Sequence, residues 1–175
     1  MTGFRVLFVC VGNVCRSPLG ERLLAAMLPE GDFEVSSAGV GALAGAAMDP
    51  EAAAHLEAYG ASADGFVARQ LTPAMVEQSD LVLTATKAIR SRVLEDSPAA
   101  LRRTFTVLEF AALLDVVPSG GDPTALVRTA ADERSRAVLE DYDIRDPFRR
   151  GSQAHAAAAD AINTAVERIA KALAR

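Results

Sequence analysis

Apolar residues in this chain follow two rhythms. Short unbroken runs alternate with stretches in which apolar positions recur every third or fourth residue. Phe4-Arg5-Val6-Leu7-Phe8-Val9-Cys10 is such a run, rich in β-branched and aromatic residues and bounded by the turn formers Gly12 and Asn13. It predicts a buried parallel strand. Phe33 to Ser37, Asp80 to Thr84 and Thr104 to Leu108 predict three more. Between the first two, Leu19, Leu23, Leu24, Met27 and Leu28 share one helical face. That helix opens at Ser17-Pro18, with proline suited to the first turn, and stops at Pro29-Glu30-Gly31. Pro50 to Tyr59 predicts a helix closed by Gly60. Thr72-Pro73 starts another, and Thr86 caps the one after. Pro118 to Pro123 reads as a loop, and Thr124 to Leu139 as a polar, charged helix. Ser152 is the expected cap of the last helix, in which Ile162, Val166, Ile169 and Leu173 form the apolar stripe. Strands alternating with helices predict an α/β fold with a mostly parallel sheet. Ligands of such sheets sit at the carboxyl ends of the strands.

Composition narrows the chemistry. A length of 175 residues suits a single domain over 1–175, and 50% hydrophobic with 23% charged residues suits a folded core. The net charge of −5 argues against a nucleic-acid partner. No segment approaches the ~20 apolar residues of a membrane span, and the N-terminus lacks a signal peptide's layout. The expectation is a cytoplasmic protein with no membrane partner; no feature specifies an oligomeric state. Two Cys and two His argue against multi-ligand zinc or iron–sulfur sites and against a disulfide framework. No metal or cofactor is expected. Both histidines, His55 and His155, fall in helical patterns. Catalysis is left to Cys, carboxylates, Arg, Ser and backbone.

One string carries such chemistry. Cys10-Val11-Gly12-Asn13-Val14-Cys15-Arg16-Ser17-Pro18 joins the first strand to the first helix. A loop there turns successive backbone N–H groups inward, making a nest for a tetrahedral oxyanion that the helix dipole reinforces. Gly12 and Asn13 both tolerate positive φ. The planar fork of Arg16 can hold two phosphate oxygens. Cys10 begins the loop, so its sulfur lies beneath the bound anion, in line for attack, in a field that favours thiolate. Ser17 is placed to donate to that sulfur. Free cysteines are more often buried and inert, but the whole string outweighs that reading for Cys10. A leaving alcohol benefits from a positioned acid. Asp146, in a turn before Pro147, is the candidate, and Asp143 is its rival.

The string resembles the phosphate-binding loop of the low-molecular-weight protein tyrosine phosphatases. Ser37-Ala38-Gly39, Ala68-Arg69-Gln70-Leu71-Thr72 and Asp146-Pro147-Phe148 match further motifs of that family, in the family's order. The run Ser37 to Gly45 followed by Asp49-Pro50 is most similar to bacterial members linked to tyrosine kinases of polysaccharide export. The resemblance implies a three-layer α/β/α fold around a four-stranded parallel sheet of order 2-1-3-4. It implies hydrolysis of phosphotyrosine in protein, a bacterial tyrosine kinase being one such partner, through a phosphocysteine intermediate. Cys10 would be the nucleophile, Arg16 the phosphate clamp, and Asp146 the general acid and then the base. Val11, Gly12, Asn13, Val14, Cys15 and Ser17 would bind or shape the phosphate site, with Ser37 supporting it. Leu43 and Phe148 would wall the slot for the substrate ring.

Some features set this chain apart from its family. Phe66 stands where members often carry a supporting His, so the hydrogen bonds around Asn13 and Ser37 must close differently. Phe148-Arg149 removes the Tyr often found after Asp-Pro. The stretch Leu114 to Tyr142 is long and leads straight to Asp146. Cys15 either packs or pairs reversibly with Cys10. Arg69 reads as structural, and the Arg128, Arg134, Arg136, Asp132, Glu133 cluster as a solvated helix face. Alternatives on the same fold are an arsenate reductase and a protein arginine phosphatase. The relay cysteines of the first are missing after Cys15, and apolar Val14 disfavours the second. A non-catalytic phosphate-binding or redox-sensing module is the remaining class.

Overall fold

A computed structural model of the chain describes residues 3–117 and 121–174. Four parallel strands, β1 (Phe4–Cys10), β2 (Phe33–Gly39), β3 (Leu81–Thr84) and β4 (Thr104–Thr106), pair in the order β2-β1-β3-β4. This is the sheet that the resemblance implied. Alternation along β1 sends Val6 and Phe8 to one face and Leu7 and Val9 to the other. Helices α1 (Arg16–Met27), α2 (Pro50–Ala58), α5 (Val107–Leu113), α6 (Pro123–Asp132) and α7 (Ser152–Leu173) pack with the first face through Leu23, Leu56, Phe110, Val127 and Ile162. Helices α3 (Pro73–Glu77) and α4 (Lys87–Asp96) cover the second through Val76, Ile89 and Val93. Burial on both faces explains why the strands read as continuous apolar runs.

Five local expectations are corrected. The strand expected over Thr104 to Leu108 ends at Thr106, and Val107 begins helix α5, which the apolar pattern did not reveal. The cause is a capping box: Thr106 accepts from the Glu109 N–H, and the Glu109 carboxylate accepts from the Thr106 N–H. The helix expected over Thr124 to Leu139 stops at Asp132, followed by a 3₁₀ turn over Arg134–Arg136. There Arg134 leaves the solvated face assigned to it. It donates to the carbonyls of Thr104 and Leu101, and its guanidinium lies 4.2 Å from the Phe105 ring centroid. Ser152 does not cap α7; Gly151 does the turning, at φ 87°. Thr72 opens α3 without a side-chain cap, whereas Thr86 accepts from the Ile89 N–H as expected. Of the loop expected over Pro118 to Pro123, residues Pro118, Ser119 and Gly120 lie outside the described residues. Asp122 within it caps α6.

The long stretch before Asp146 is tied down at several points. Arg102 pairs with Asp132 at 2.5 Å, the Tyr142 hydroxyl donates to the Ala137 carbonyl, and Lys87 lies over the Tyr142 ring. The loop that follows is fixed to the end of β3 by the Ile144 N–H, which donates to the Ala85 carbonyl at 2.8 Å. Among the described residues, no helix is long and apolar enough to cross a membrane.

The end of β2 is built around a missing side chain. A Cβ on Gly39 would stand 2.3 Å from the Val11 carbonyl oxygen and 3.0 Å from the Asn13 nitrogen. Both are backbone atoms that no rotamer change can move aside. Gly39→Ala is therefore expected to lower stability by about 1–3 kcal/mol, the range of an overpacked core. Urea unfolding measures it, and an unchanged midpoint contradicts the close approach.

Candidate active site

The loop Val11 to Cys15 leaves the carboxyl end of β1 and enters α1. Its carbonyls are turned outward and tied to the next loop. The N–H groups of Val40 and Gly41 donate to the carbonyls of Cys10 and Val11, both at 3.0 Å. Leu43 donates to Gly12 at 2.9 Å and Asp49 to Val14 at 2.8 Å. The N–H groups of Gly12 through Cys15 have no partner among the described residues. Helix α1 has no side-chain cap and no acidic residue in its first turn. A row of free donors thus meets a helix N-terminus, which is an anion nest. Asn13 makes the bend, at φ 55°. Gly12, expected to share the positive-φ region, does not enter it. A Cβ there would make only ordinary contacts with Val14 and Leu43, at 3.6 and 3.9 Å.

Behind the nest runs a buried polar chain. Asn13 Nδ2 donates to Ser17 Oγ at 2.8 Å and to Ser37 Oγ at 2.9 Å, while its Oδ1 accepts from the Arg69 N–H at 2.9 Å. The Ser37 hydroxyl donates to the Glu21 carboxylate, and Arg69 Nε donates to the Ser37 carbonyl. Since Ser17 accepts from Asn13, its own proton is free for Cys10 Sγ, 2.9 Å away. This is how the network closes without the family's usual His. Glu21 terminates it, and Phe66 is buried under the Arg22 guanidinium. Burial pushes the Glu21 carboxyl above its ordinary value, against the lowering effect of the Ser37 hydrogen bond. Glu21 escaped the sequence reading because a Glu in the first turns of a helix is unremarkable.

Arg16 is buried, and its guanidinium is held on two sides. Nη1 donates to the Ile144 carbonyl at 2.8 Å, and Nη2 lies 3.4 Å from the Asp146 carboxylate. Its buried Nε has no hydrogen-bond partner among the described residues, so it can donate to an oxyanion. The Asp146 carboxylate is half-exposed, and its Oδ1 accepts from the Phe148 N–H at 3.3 Å. The rival Asp143 is occupied elsewhere: its Oδ1 accepts from the Lys87 N–H at the start of α4.

Cys10, Val11, Gly12, Val14, Cys15, Arg16, Leu43, Asp146 and Phe148 line one pocket of about 140 Å³ together with Gly41, which the sequence reading did not single out. Asn13 and Ser17 are absent from the lining and form the support behind it. A wider hollow of about 570 Å³ flanks the outer side of the Asp146 loop, but no cysteine lines it. Leu43 is 47% exposed, at the rim.

Comparisons with known proteins agree with this geometry. Residues 5–116 match the family model described as low molecular weight phosphotyrosine protein phosphatase. The chain is 34% identical over 167 residues to the low molecular weight protein-tyrosine-phosphatase Wzb of Salmonella typhi, covering 95% of this chain and 89% of that one. The crystal structure of the Erwinia amylovora tyrosine phosphatase AmsI superposes with a TM-score of 0.75 at 29% identity, covering 98% and 93% of the two chains. The YwlE arginine phosphatase of Geobacillus stearothermophilus superposes at 0.73 with 30% identity, covering 95% and 90%.

The two cysteines stand in different surroundings. Burial pushes the Cys15 thiol up to about 12, and the nearby Asp49, Cys10 and Asp146 add to the effect. Below that pH Cys15 keeps its proton and presents no thiolate. Iodoacetamide at pH 8 is therefore expected to alkylate Cys10 and spare Cys15 in the folded protein. Peptide mass mapping reads the outcome; rapid labelling of Cys15 in a folded Cys10→Ser variant would contradict it.

Proposed function

The chain belongs to the low molecular weight phosphotyrosine protein phosphatase family, and we propose that its activity as a protein-tyrosine-phosphatase runs through a phosphocysteine intermediate on Cys10. The observation that carries this reading is the shared pocket of Cys10, Arg16 and Asp146 beside a loop whose Cys10, Val11, Gly12 and Val14 carbonyls are tied to the neighbouring segment. The phosphate enters with its oxygens on the loop N–H groups and the Arg16 fork. Cys10 Sγ attacks phosphorus from below, and the bond to the phenolic oxygen breaks on the opposite side. Asp146 gives its proton to the departing phenolate. In the second step the same carboxylate takes a proton from water as the water oxygen attacks phosphorus. The sulfur leaves as thiolate, met by the Ser17 hydroxyl at 2.9 Å. The nest and Arg16 supply the charge that this transition state needs, so no step calls for a metal.

Val14 and Leu43 bear on the choice of substrate. Both are apolar, and both line the pocket with Phe148. A phenyl ring buries against them at little cost, whereas a guanidinium finds no hydrogen-bond partner in Val14, Leu43 or Phe148. That favours phosphotyrosine over the phosphoarginine of the structurally similar arginine phosphatase. A non-catalytic phosphate or redox module is disfavoured by an acid and a nucleophile meeting in one pocket. The natural substrate is placed among phosphotyrosine-bearing proteins, with a bacterial tyrosine kinase of polysaccharide export the candidate that the resemblance supplies. Both cysteines are free, which supports a cytoplasmic location for the enzyme.

The purified protein is expected to hydrolyse an aryl phosphate with EDTA present. Cys10→Ser should abolish turnover, and Asp146→Asn should slow it by ~10²-fold or more. Phosphotyrosine peptides should turn over faster than phosphoarginine peptides. Full activity in Cys10→Ser would overturn the nucleophile, an unchanged rate in Asp146→Asn would move the acid elsewhere, and a phosphoarginine preference would reverse the substrate assignment.

A further inference from the structure

The second loop cysteine faces residues that the reaction does not use. Cys15 Sγ, a carboxylate oxygen of Asp49 and a ring nitrogen of His155 all lie within 4.8 Å of one another. His155 Nε2 is 3.7 Å from Asp49 Oδ1. Cys15 and His155 are buried, and the Asp49 side chain is 17% exposed, so the cluster opens to solvent on the Asp49 side. A void of about 10 Å³ lies against Cys15 and His155, bordered by Arg16, Leu19 and Pro147 but not by Asp49. The three groups come from distant parts of the chain: the phosphate loop, the residue before α2, and the first turn of α7.

We propose that Cys15, Asp49 and His155 form a binding site for a zinc-class divalent cation, and that occupancy inhibits the enzyme. The donor set is one sulfur, one oxygen and one nitrogen, which suits Zn²⁺ with a fourth position left to water. A thiolate and a carboxylate balance the ion's two charges, and a neutral imidazole adds none. As the sulfur–metal bond forms, the Cys15 proton passes to solvent and no oxidation state changes.

Inhibition follows from the fit. Metal–ligand bonds of about 2.3 Å to sulfur and 2.0–2.2 Å to nitrogen and oxygen place tetrahedral ligand atoms roughly 3.3–3.6 Å apart. The His155–Asp49 pair, at 3.7 Å, is within a few tenths of an ångström of that spacing. Drawing in Cys15 from the outer limit of the cluster takes a shift of roughly 1 Å, and Cys15 is a member of the loop that holds the phosphate. A misplacement of about 1 Å in a catalytic constellation costs up to ~10²-fold in rate. The ion would also staple that loop to α7, which begins a few residues after Asp146.

The test separates this site from a metal caught on the nucleophile. Co²⁺ is titrated into the phosphine-reduced full chain, reading the near-ultraviolet thiolate-to-cobalt charge-transfer band. The band should saturate at a single equivalent, persist in Cys10→Ser and disappear in Cys15→Ser. His155→Phe should weaken binding at least ~10-fold, the size of effect seen when only a ligand's supporting hydrogen bond is lost. No band in the wild-type chain, loss of the band in Cys10→Ser, or its full retention in His155→Phe would each overturn the site. Asp49→Asn, whose amide still caps α2, is the second variant should His155→Phe not fold, with the same expected weakening. Binding is read without turnover, so it stands or falls apart from the phosphatase reading. For inhibition, Zn²⁺ should suppress aryl phosphate hydrolysis by the wild-type chain and EDTA should restore it. His155→Phe should keep its metal-free rate and resist zinc; equal inhibition of both would overturn the regulatory role.

Discussion

The outward turn of the carbonyls between Cys10 and Val14 is the constraint on which the site depends. A loop of five residues can point its N–H groups at one spot only if its carbonyls are satisfied somewhere else. Here the segment from Val40 to Asp49 takes those of Cys10, Val11, Gly12 and Val14, one backbone N–H at a time. Releasing the bond to Cys10 or Val14, both buried, would leave an acceptor unpaired at about 1–3 kcal/mol and would let that peptide rotate. The strand before the loop and the helix after it set the two ends. Gly39 lets the chain pass close enough to Val11 for the ties to form.

The polar chain behind the loop does a second job. It fixes the shape of the loop through Asn13 and sets the direction of the Ser17 hydroxyl. It ends on a carboxylate that only accepts, and the Ser17 hydroxyl has the Cys10 sulfur at 2.9 Å and, farther off, the Ala38 carbonyl at 3.5 Å within reach. Asn13 gives both amide hydrogens to serines, Ser37 gives its own to Glu21, and Ser17 is left pointing at Cys10. Arg69 braces the far side through Asn13 Oδ1 and the Ser37 carbonyl. With Phe66 apolar, Glu21 serves as the terminus, and its burial raises the carboxyl although the Ser37 hydrogen bond works the other way. On the other side of the pocket, Asp143 and Ile144 anchor the loop that presents Asp146. The length of the preceding segment therefore does not loosen it.

What the sequence made legible was local. A strand-loop-helix string with Cys10, Asn13, Arg16 and Ser17 announces an anion nest because each residue's part is set by its immediate neighbours. The Asp-Pro turn announced Asp146 for the same reason. Helix α5 stayed hidden because Thr104 to Leu108 is β-branched and apolar, and only the Thr106–Glu109 capping box switches it to helix. Arg134 looked solvated because its partners, Thr104 and Phe105, lie some thirty positions earlier. Glu21 and the Cys15–Asp49–His155 cluster were invisible for a like reason. A count of two cysteines and two histidines argues against a metal site until the fold brings one of each beside an aspartate.

The central claim is that phosphate passes through sulfur on Cys10. Rapid acid quenching during aryl phosphate turnover, followed by mass analysis of the peptide that contains Cys10, tests it most directly. The account predicts one phosphoryl group on Cys10, accumulating early and lost as the intermediate hydrolyses. A phosphoryl group on any other residue, or none on the enzyme while turnover proceeds, would contradict it.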